Sequence, residues 1–357
     1  MASLREKLAV AAKPLKDGGK PGKPAPDVRR GADIFAHVSG GGGPRCWDEY
    51  VGQGKAKALL RMRIAGAKVR GERLDHVLIA SGFPGIGKSA LGRLIAAEMD
   101  AGIVEIQGDM DSDDALSVFG KMEDGDILFI DEGHKLVDGG KKGAEWLLPV
   151  LQDGVLIDSE GIHAIPAVTV VVATTDKDVL PQTILDRLPI VPAIEPYGVN
   201  DAAEIARRMA DGIGNFMGVG GEEVKLGAGT LEKIARACSE TPRLIAGMLG
   251  MMRDALSVGL VTLDSEGEGE LGGLFDLMDV TEDGLDAVSQ NMLLALLSNG
   301  GVAGANTLAA KLGEPIVPKH AERVLMMKGY MVIQPQGRCL TEDGKARAGE
   351  LAMKFAG

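Results

Sequence analysis

A strand-sized apolar run, His76–Ser81, leads directly into Gly82-Phe83-Pro84-Gly85-Ile86-Gly87-Lys88-Ser89, and a helical pattern, Ser89–Met99, follows at once. No other feature of the chain restricts its fold so tightly. The eight residues fit GxxxxGK[ST] in the context that the motif requires, strand before and helix after. Glycines let successive backbone N–H groups close around phosphate oxygens, and the helix N-terminus adds its dipole. Lys88 would neutralise β- and γ-phosphate charge, and Ser89 would hold Mg2+. Gly82, Pro84, Gly85, Ile86, Gly87 and Ala90 complete the candidate phosphate cradle. The bland alternative is a chance glycine-rich turn, and the flanking elements argue against it.

The surrounding sequence agrees. HVLIAS (76–81), GIVEI (102–106), DILFID (126–131) and AVTVVVAT (167–174) are strand-like, with helical stretches Ser89–Met99, Asp113–Met122 and Ala144–Gln152 between them. Alternation of this kind is the signature of an α/β fold with a parallel sheet, and near-continuous apolar runs suit strands buried on both faces. The strand Ile127–Ile130 ends in Asp131 and Glu132. After a phosphate loop, that pair reads as a Mg2+ ligand, Asp131, and a residue polarising the attacking water, Glu132. The pair therefore points to nucleotide hydrolysis rather than nucleotide holding.

Charge bears on partners through its distribution. The net charge is −12, yet residues 1–45 carry nine basic and four acidic side chains. Nine carboxylates and no Lys or Arg fall in 261–286, whereas 311–357 has eight bases and five acids. A modest basic surface at the C-terminal end is thus compatible with nucleic acid. Aromatics at 3% exclude a base-stacking surface rich in Phe and Tyr. No apolar run approaches the roughly 18 residues that a membrane span needs, so no membrane role is expected. Cys46, Cys238 and Cys339 lie far apart, which disfavours a disulfide scaffold or a cysteine zinc site and makes a reducing cytoplasm the expected location.

Residues 1–43 read as a flexible basic tail, because KDGGKPGKPAP and SGGGGP are low-complexity runs; only Leu4–Ala12 suggests a short helix. Residues 44–197 are expected to form the nucleotide-hydrolysing domain. Residues 198–262 read as helices alone, a lid, with Pro242 placed to open the last of them. An acidic, glycine-rich linker is expected over 263–275. Over 276–357, three helical patterns precede YMVIQPQGRCL, two apolar runs around a turn; together they make a winged-helix pattern.

With these residues in place, the chain resembles the AAA+ ATPases, and among them the RuvB family of bacterial Holliday-junction branch-migration motors. The likeness runs through Asp48-Glu49-Tyr50-Val51-Gly52-Gln53, LDHVLIASGFPGIGKSALG, LFIDEGHKL, Ala173-Thr174-Thr175, Leu185-Asp186-Arg187, Thr241-Pro242-Arg243 and GYMVIQPQGRCL. It covers about residues 45–345 and implies an AAA+ core, a helical lid and a winged helix. By the same resemblance, Tyr50, Val51 and Tyr197 line an adenine pocket and Thr175 reads the γ-phosphate. Arg243 touches phosphates from the lid. Arg187 is a finger reaching into the neighbouring subunit's site. ATP and Mg2+ are the implied cofactors. The implied assembly is a ring, expected to be a hexamer, on double-stranded or junction DNA, with Arg338 of the wing as a DNA contact. Packing at a domain edge is the alternative for both tyrosines, and a surface ion pair is the alternative for Arg187. His134 reads as a structural histidine and stays outside the site.

The departures are specific. Leu185 occupies the place of a family arginine, Asp176 that of another, Gly133 that of an isoleucine and Gln336 that of a wing arginine. Residues 154–166 must serve as the whole hairpin on which the family docks its RuvA partner, and this shortness argues against a RuvA-type partner. An AAA+ loader or remodeller, or a nucleotide-gated DNA-binding scaffold, is the alternative to a branch-migration motor. Lys319, Arg323, Lys328 and Lys345 are further candidate DNA contacts, and a protein-binding winged helix is the bland reading of that face.

Overall fold

The computed structural model describes residues 26–35, 43–138 and 142–356. The chain divides into two compact units, with the boundary between Tyr197 and Gly198. In the first, α1 (Gly54–Arg70) leads to β1 (Val77–Ala80), and the phosphate loop follows. Next come α2 (Lys88–Met99), β2 (Ile103–Gln107), α3 (Ser112–Phe119), β3 (Ile127–Asp131) and α4 (Lys142–Asp153). A hairpin of β4 (Val155–Asp158) and β5 (Gly161–Ala164) precedes β6 (Thr169–Thr174).

The sheet is parallel, in the order β1-β6-β3-β2. Side chains alternate across it, so each strand feeds two cores. Leu78, Leu128, Ile130, Val170 and Val172 pack on one face with Phe119, Trp146 and Leu147. Val77, Ile79, Ile127, Phe129, Val171 and Ala173 pack on the other with Leu60, Leu91 and Ile95. Burial on both faces explains the unbroken apolar runs, since each fully buried Val, Leu or Ile contributes roughly 1.5–3 kcal/mol over an exposed one. The register sets Ala80 beside Thr174 and Gln107 beside Asp131, which brings the ends of β1, β3 and β6 to one edge. In open α/β sheets that carboxyl edge is where ligands bind.

Two stretches depart from the composition-based reading. Of the 1–43 tail, residues 26–35 are built into the first unit. Arg29 exchanges two backbone hydrogen bonds with Ile103 on the edge strand β2, each 2.9 Å. Arg30 donates twice to the carboxylate of Asp126 at 2.7 Å, and Ile34 is buried on a 3-10 turn, Gly31–Phe35. The cause is local: Val28, Ile34 and the two arginines find an apolar edge and a buried carboxylate that the Pro-Gly-Lys run before them lacks. The suggested helix Leu4–Ala12 lies outside the described residues.

The second unit opens with α5 (Val199–Ile213), α6 (Ala228–Ala237) and α7 (Pro242–Ser257). The acidic segment 263–275, read from composition as a linker, is ordered. Asp264 closes a turn by accepting from the N–H groups of Glu266 and Glu268, and the Glu268 carboxylate accepts from the N–H groups of Gly229 and Thr230. Glu268 therefore caps α6, where a negative charge meets unpaired N–H groups and the positive helix end. The segment leads into α8 (Gly272–Leu277). The remainder comprises α9 (Ala287–Ser298), β7 (Val302–Ala303), α10 (Ala305–Leu312), α11 (Lys319–Met327), β8 (Met331–Gln334), β9 (Gly337–Leu340) and α12 (Glu342–Ala356). Its three short strands pair in the order β7-β9-β8 around a core that includes Leu293, Leu308, Leu325 and Leu351. The helices α9, α10 and α11 with this wing are the winged-helix arrangement, and α12 packs on the same core through Leu351. Among the described residues, no helix is long and apolar enough to cross a membrane.

Candidate nucleotide site

The site grows from the turn between β1 and α2. Gly85 and Gly87 have φ of 76° and 99°, the left-handed region that glycine enters without a side-chain clash. A Cβ on Gly87 would also lie 3.0 Å from the Tyr50 hydroxyl oxygen. The loop thus turns tightly at the start of α2. Lys88 is buried there, and its Nζ donates to the Phe83 carbonyl at 3.2 Å. Ser89 Oγ donates to Asp131 Oδ2 at 3.4 Å, across the gap between the loop and the end of β3. Hydroxyl and carboxylate oxygens are the hard donors that Mg2+ prefers, so Ser89 and Asp131 suit that ion once nucleotide phosphates complete its shell.

Asp131 is held by its own turn, its Oδ1 accepting from the Glu132 N–H at 2.9 Å. Glu132 has φ 52°, unusual for a residue with a side chain. Its backbone is pinned on both sides, because Gly108 N donates to Asp131 O and Gly133 N donates to Ala173 O. A Cβ on Gly133 would lie 2.5 Å from Val172 Cγ1. Glycine at this position therefore lets the turn lie flat on β6. Thr175 follows β6 directly, half-buried. Its neighbour Thr174 is engaged locally, accepting from the Asp176 N–H and donating to the Asp176 carbonyl.

The two tyrosines back the loop. Tyr50 Oη donates to the Gly87 carbonyl and Tyr197 Oη to the Ile86 carbonyl, both at 3.4 Å. Both rings are buried; burial, with Tyr197 beside it, holds the Tyr50 phenol well above its ordinary pKa. These contacts leave both rings beside the loop. Val51 follows, half-buried. Gln53 then exchanges two hydrogen bonds with the Glu195 backbone, which fastens the Tyr50 segment to the Tyr197 segment. Sequence reading missed this clamp because its halves lie 142 residues apart.

The other candidates have contacts of their own. Arg187 donates to the Thr183 carbonyl and to Gln152 Oε1 at 2.6 and 2.7 Å, so the end of α4 aims its guanidinium. Arg243 is exposed in the first turn of α7, in the second unit. Arg338 on β9 is ion-paired to the largely buried Glu322 of α11. Lys328 is similarly tied to Glu240 and Lys345 to Glu342. Lys319 and Arg323 stand one turn apart on α11, exposed and half-buried. The hairpin is as short as its sequence demands, with Val155 opposite Ala164 and Asp158 opposite Gly161.

Comparison with known proteins places these features in a family. The family described as "Holliday junction DNA helicase RuvB P-loop domain" matches residues 43–194. The chain is 32% identical over 321 residues to the Holliday junction branch migration complex subunit RuvB of Parasynechococcus marenigrum, covering 86% of this chain and 88% of that one. It is 31% identical to the RuvB subunit of Thermotoga maritima, covering 84% and 89%. The solved structure of the Thermotoga maritima RuvB Holliday junction branch migration motor superposes with a TM-score of 0.69 at 28% identity, over 86% of this chain and 97% of that chain. The fold, the phosphate loop and the acid pair thus coincide with likeness along most of the chain, and the protein belongs to the RuvB family of AAA+ P-loop ATPases.

Proposed function

We propose that this protein is an ATP-driven ring motor that moves double-stranded DNA, and that its task is Holliday junction branch migration in recombination and repair. One observation carries the reading: the phosphate loop, Asp131 and Glu132 are assembled at one sheet edge in a chain 32% identical to a RuvB subunit over 86% of its length. Lys88 neutralises phosphate charge, and Ser89 and Asp131 hold Mg2+, which shields the β- and γ-phosphate oxygens when bound. Glu132 orients and deprotonates the attacking water, and Thr175 reads the γ-phosphate. Tyr50, Val51 and Tyr197 support the adenine side. Arg243 contributes from the lid (198–262), and Arg187 serves the neighbouring subunit of a hexamer. The winged helix (276–357) grips DNA through phosphate contacts, which supply sequence-independent affinity. Lys319 and Arg323 supplement Arg338 there, and the work takes place in the cytoplasm. The loader and scaffold readings draw no comparable support.

The partner surface differs from what the family uses. Each strand of the hairpin has four residues, and Ile157 is its one exposed large apolar side chain. A surface so small lacks the apolar centre of a stable interface, so a standard RuvA protein does not stimulate this ATPase. The deciding experiment follows a labelled four-way junction with ATP. Wild type resolves it into duplex arms, Lys88→Ala loses nucleotide binding, and Glu132→Gln binds nucleotide without turnover. Equal nucleotide affinity in wild type and Lys88→Ala would sink the site, and an ATPase that leaves the junction intact would sink the motor.

A further inference from the structure

The turn after β3 holds a side chain that no role above uses. The Glu132 backbone is fixed by its neighbours, but its carboxylate stands at the end of a flexible side chain that is 37% exposed. A general base must be held within hydrogen-bond reach of its water, and a misplacement of about 1 Å costs on the order of a hundredfold in rate. His134 supplies a hold, its Nε2 lying 3.2 Å from Glu132 Oε2. A carboxylate only accepts, so the contact is attractive when Nε2 carries a hydrogen. The other ring nitrogen, Nδ1, is buried and has no hydrogen-bond partner among the described residues. Glu132 is therefore the ring's polar partner. The left-handed turn at Glu132 and the missing side chain at Gly133 bring residues 132 and 134 to the same side.

We propose that His134 is a positioning residue for ATP hydrolysis: through Nε2 it holds the Glu132 carboxylate in line for the attacking water. This rests on the reading of Glu132 as the base. The test compares His134→Gln with His134→Met, side chains of similar length of which only the first donates a hydrogen bond. DNA-stimulated turnover and the affinity for a fluorescent ATP analogue are measured for both. His134→Met should lose about tenfold to a hundredfold in kcat with nucleotide affinity kept, and His134→Gln should retain most of the rate. In a Glu132→Gln background, His134→Met should lower the residual rate no further. Wild-type turnover in His134→Met, a common fall in both variants, or lost nucleotide affinity in either would overturn the proposal. Failure of the underlying reading is separate, since it would appear as full turnover in Glu132→Gln alone.

Discussion

His76 shows how one side chain ties the sheet to pH. It precedes β1, is 6% exposed, and its Nδ1 accepts the Val170 N–H at 2.9 Å. That bond requires an unprotonated nitrogen. Burial, reinforced by Arg73, lowers the pKa from 6.5 to about 4. Between those values the unfolded chain binds more protons than the folded one. The contribution is therefore complete above pH 6.5 and is lost as pH falls toward about 4. On the order of 3 kcal/mol rides on this difference. Urea midpoints should fall between about pH 7.5 and about pH 5 in wild type, and fall less in His76→Asn, whose amide oxygen accepts from Val170 at any pH. Parallel falls in the two proteins would assign the effect to another group. Residues of this kind were hard to read in the sequence. Lys88, Ser89, Asp131 and Glu132 were legible because their chemistry depends on local spacing. His134 was visible but silent, because its meaning lies in a contact made by the turn rather than in the motif.

Among the elements, the parallel strands were legible because burial on both faces writes an unbroken apolar run. The edge segment 26–35 was not, since two backbone hydrogen bonds and one arginine leave no periodic trace beside a Pro-Gly-Lys run. The Glu268 cap on α6 was hidden for a related reason: its donors lie 38 and 39 residues away, and composition alone marked the segment as a linker. The edge segment has a measurable consequence. Asp126 is buried, and besides Arg30 it accepts from the N–H groups of Gly102 and Glu123. Arg30→Met leaves that carboxylate with its backbone donors alone and frees the segment from β2. Because Arg30 is itself partly exposed, the cost is about 1–3 kcal/mol, the range for charge-assisted hydrogen bonds. Thermal unfolding should begin earlier, and the Ile103 amide, which donates to the Arg29 carbonyl, should exchange faster with deuterium. Unchanged exchange at Ile103 would mean that the backbone pairing holds the segment without Arg30.

For the whole molecule, the open matter is whether one chain holds a complete site. The first unit assembles Lys88, Ser89, Asp131 and Glu132, while Arg187 is turned toward Gln152 and Thr183. An arginine so held, at the end of a one-turn helix, Gln182–Leu185, suits a group presented to a neighbour. Arginine fingers contribute about 10³–10⁵ in rate at related phosphoryl-transfer sites. If Arg187 acts across subunits, Arg187→Ala and Glu132→Gln should each be nearly inactive alone. A mixed ring, however, contains interfaces where an intact Glu132 meets an intact Arg187. Titrating one variant into the other at fixed total protein, with DNA present, should raise ATPase activity to a maximum near equal proportions. Gln152→Ala should lower the wild-type rate less than Arg187→Ala does, because it removes the aim and keeps the charge. A flat titration, with exchange of subunits shown by fluorescence transfer between labelled rings, would place the charge-stabilising cation elsewhere and leave Arg187 as a structural ion on the surface of its own subunit.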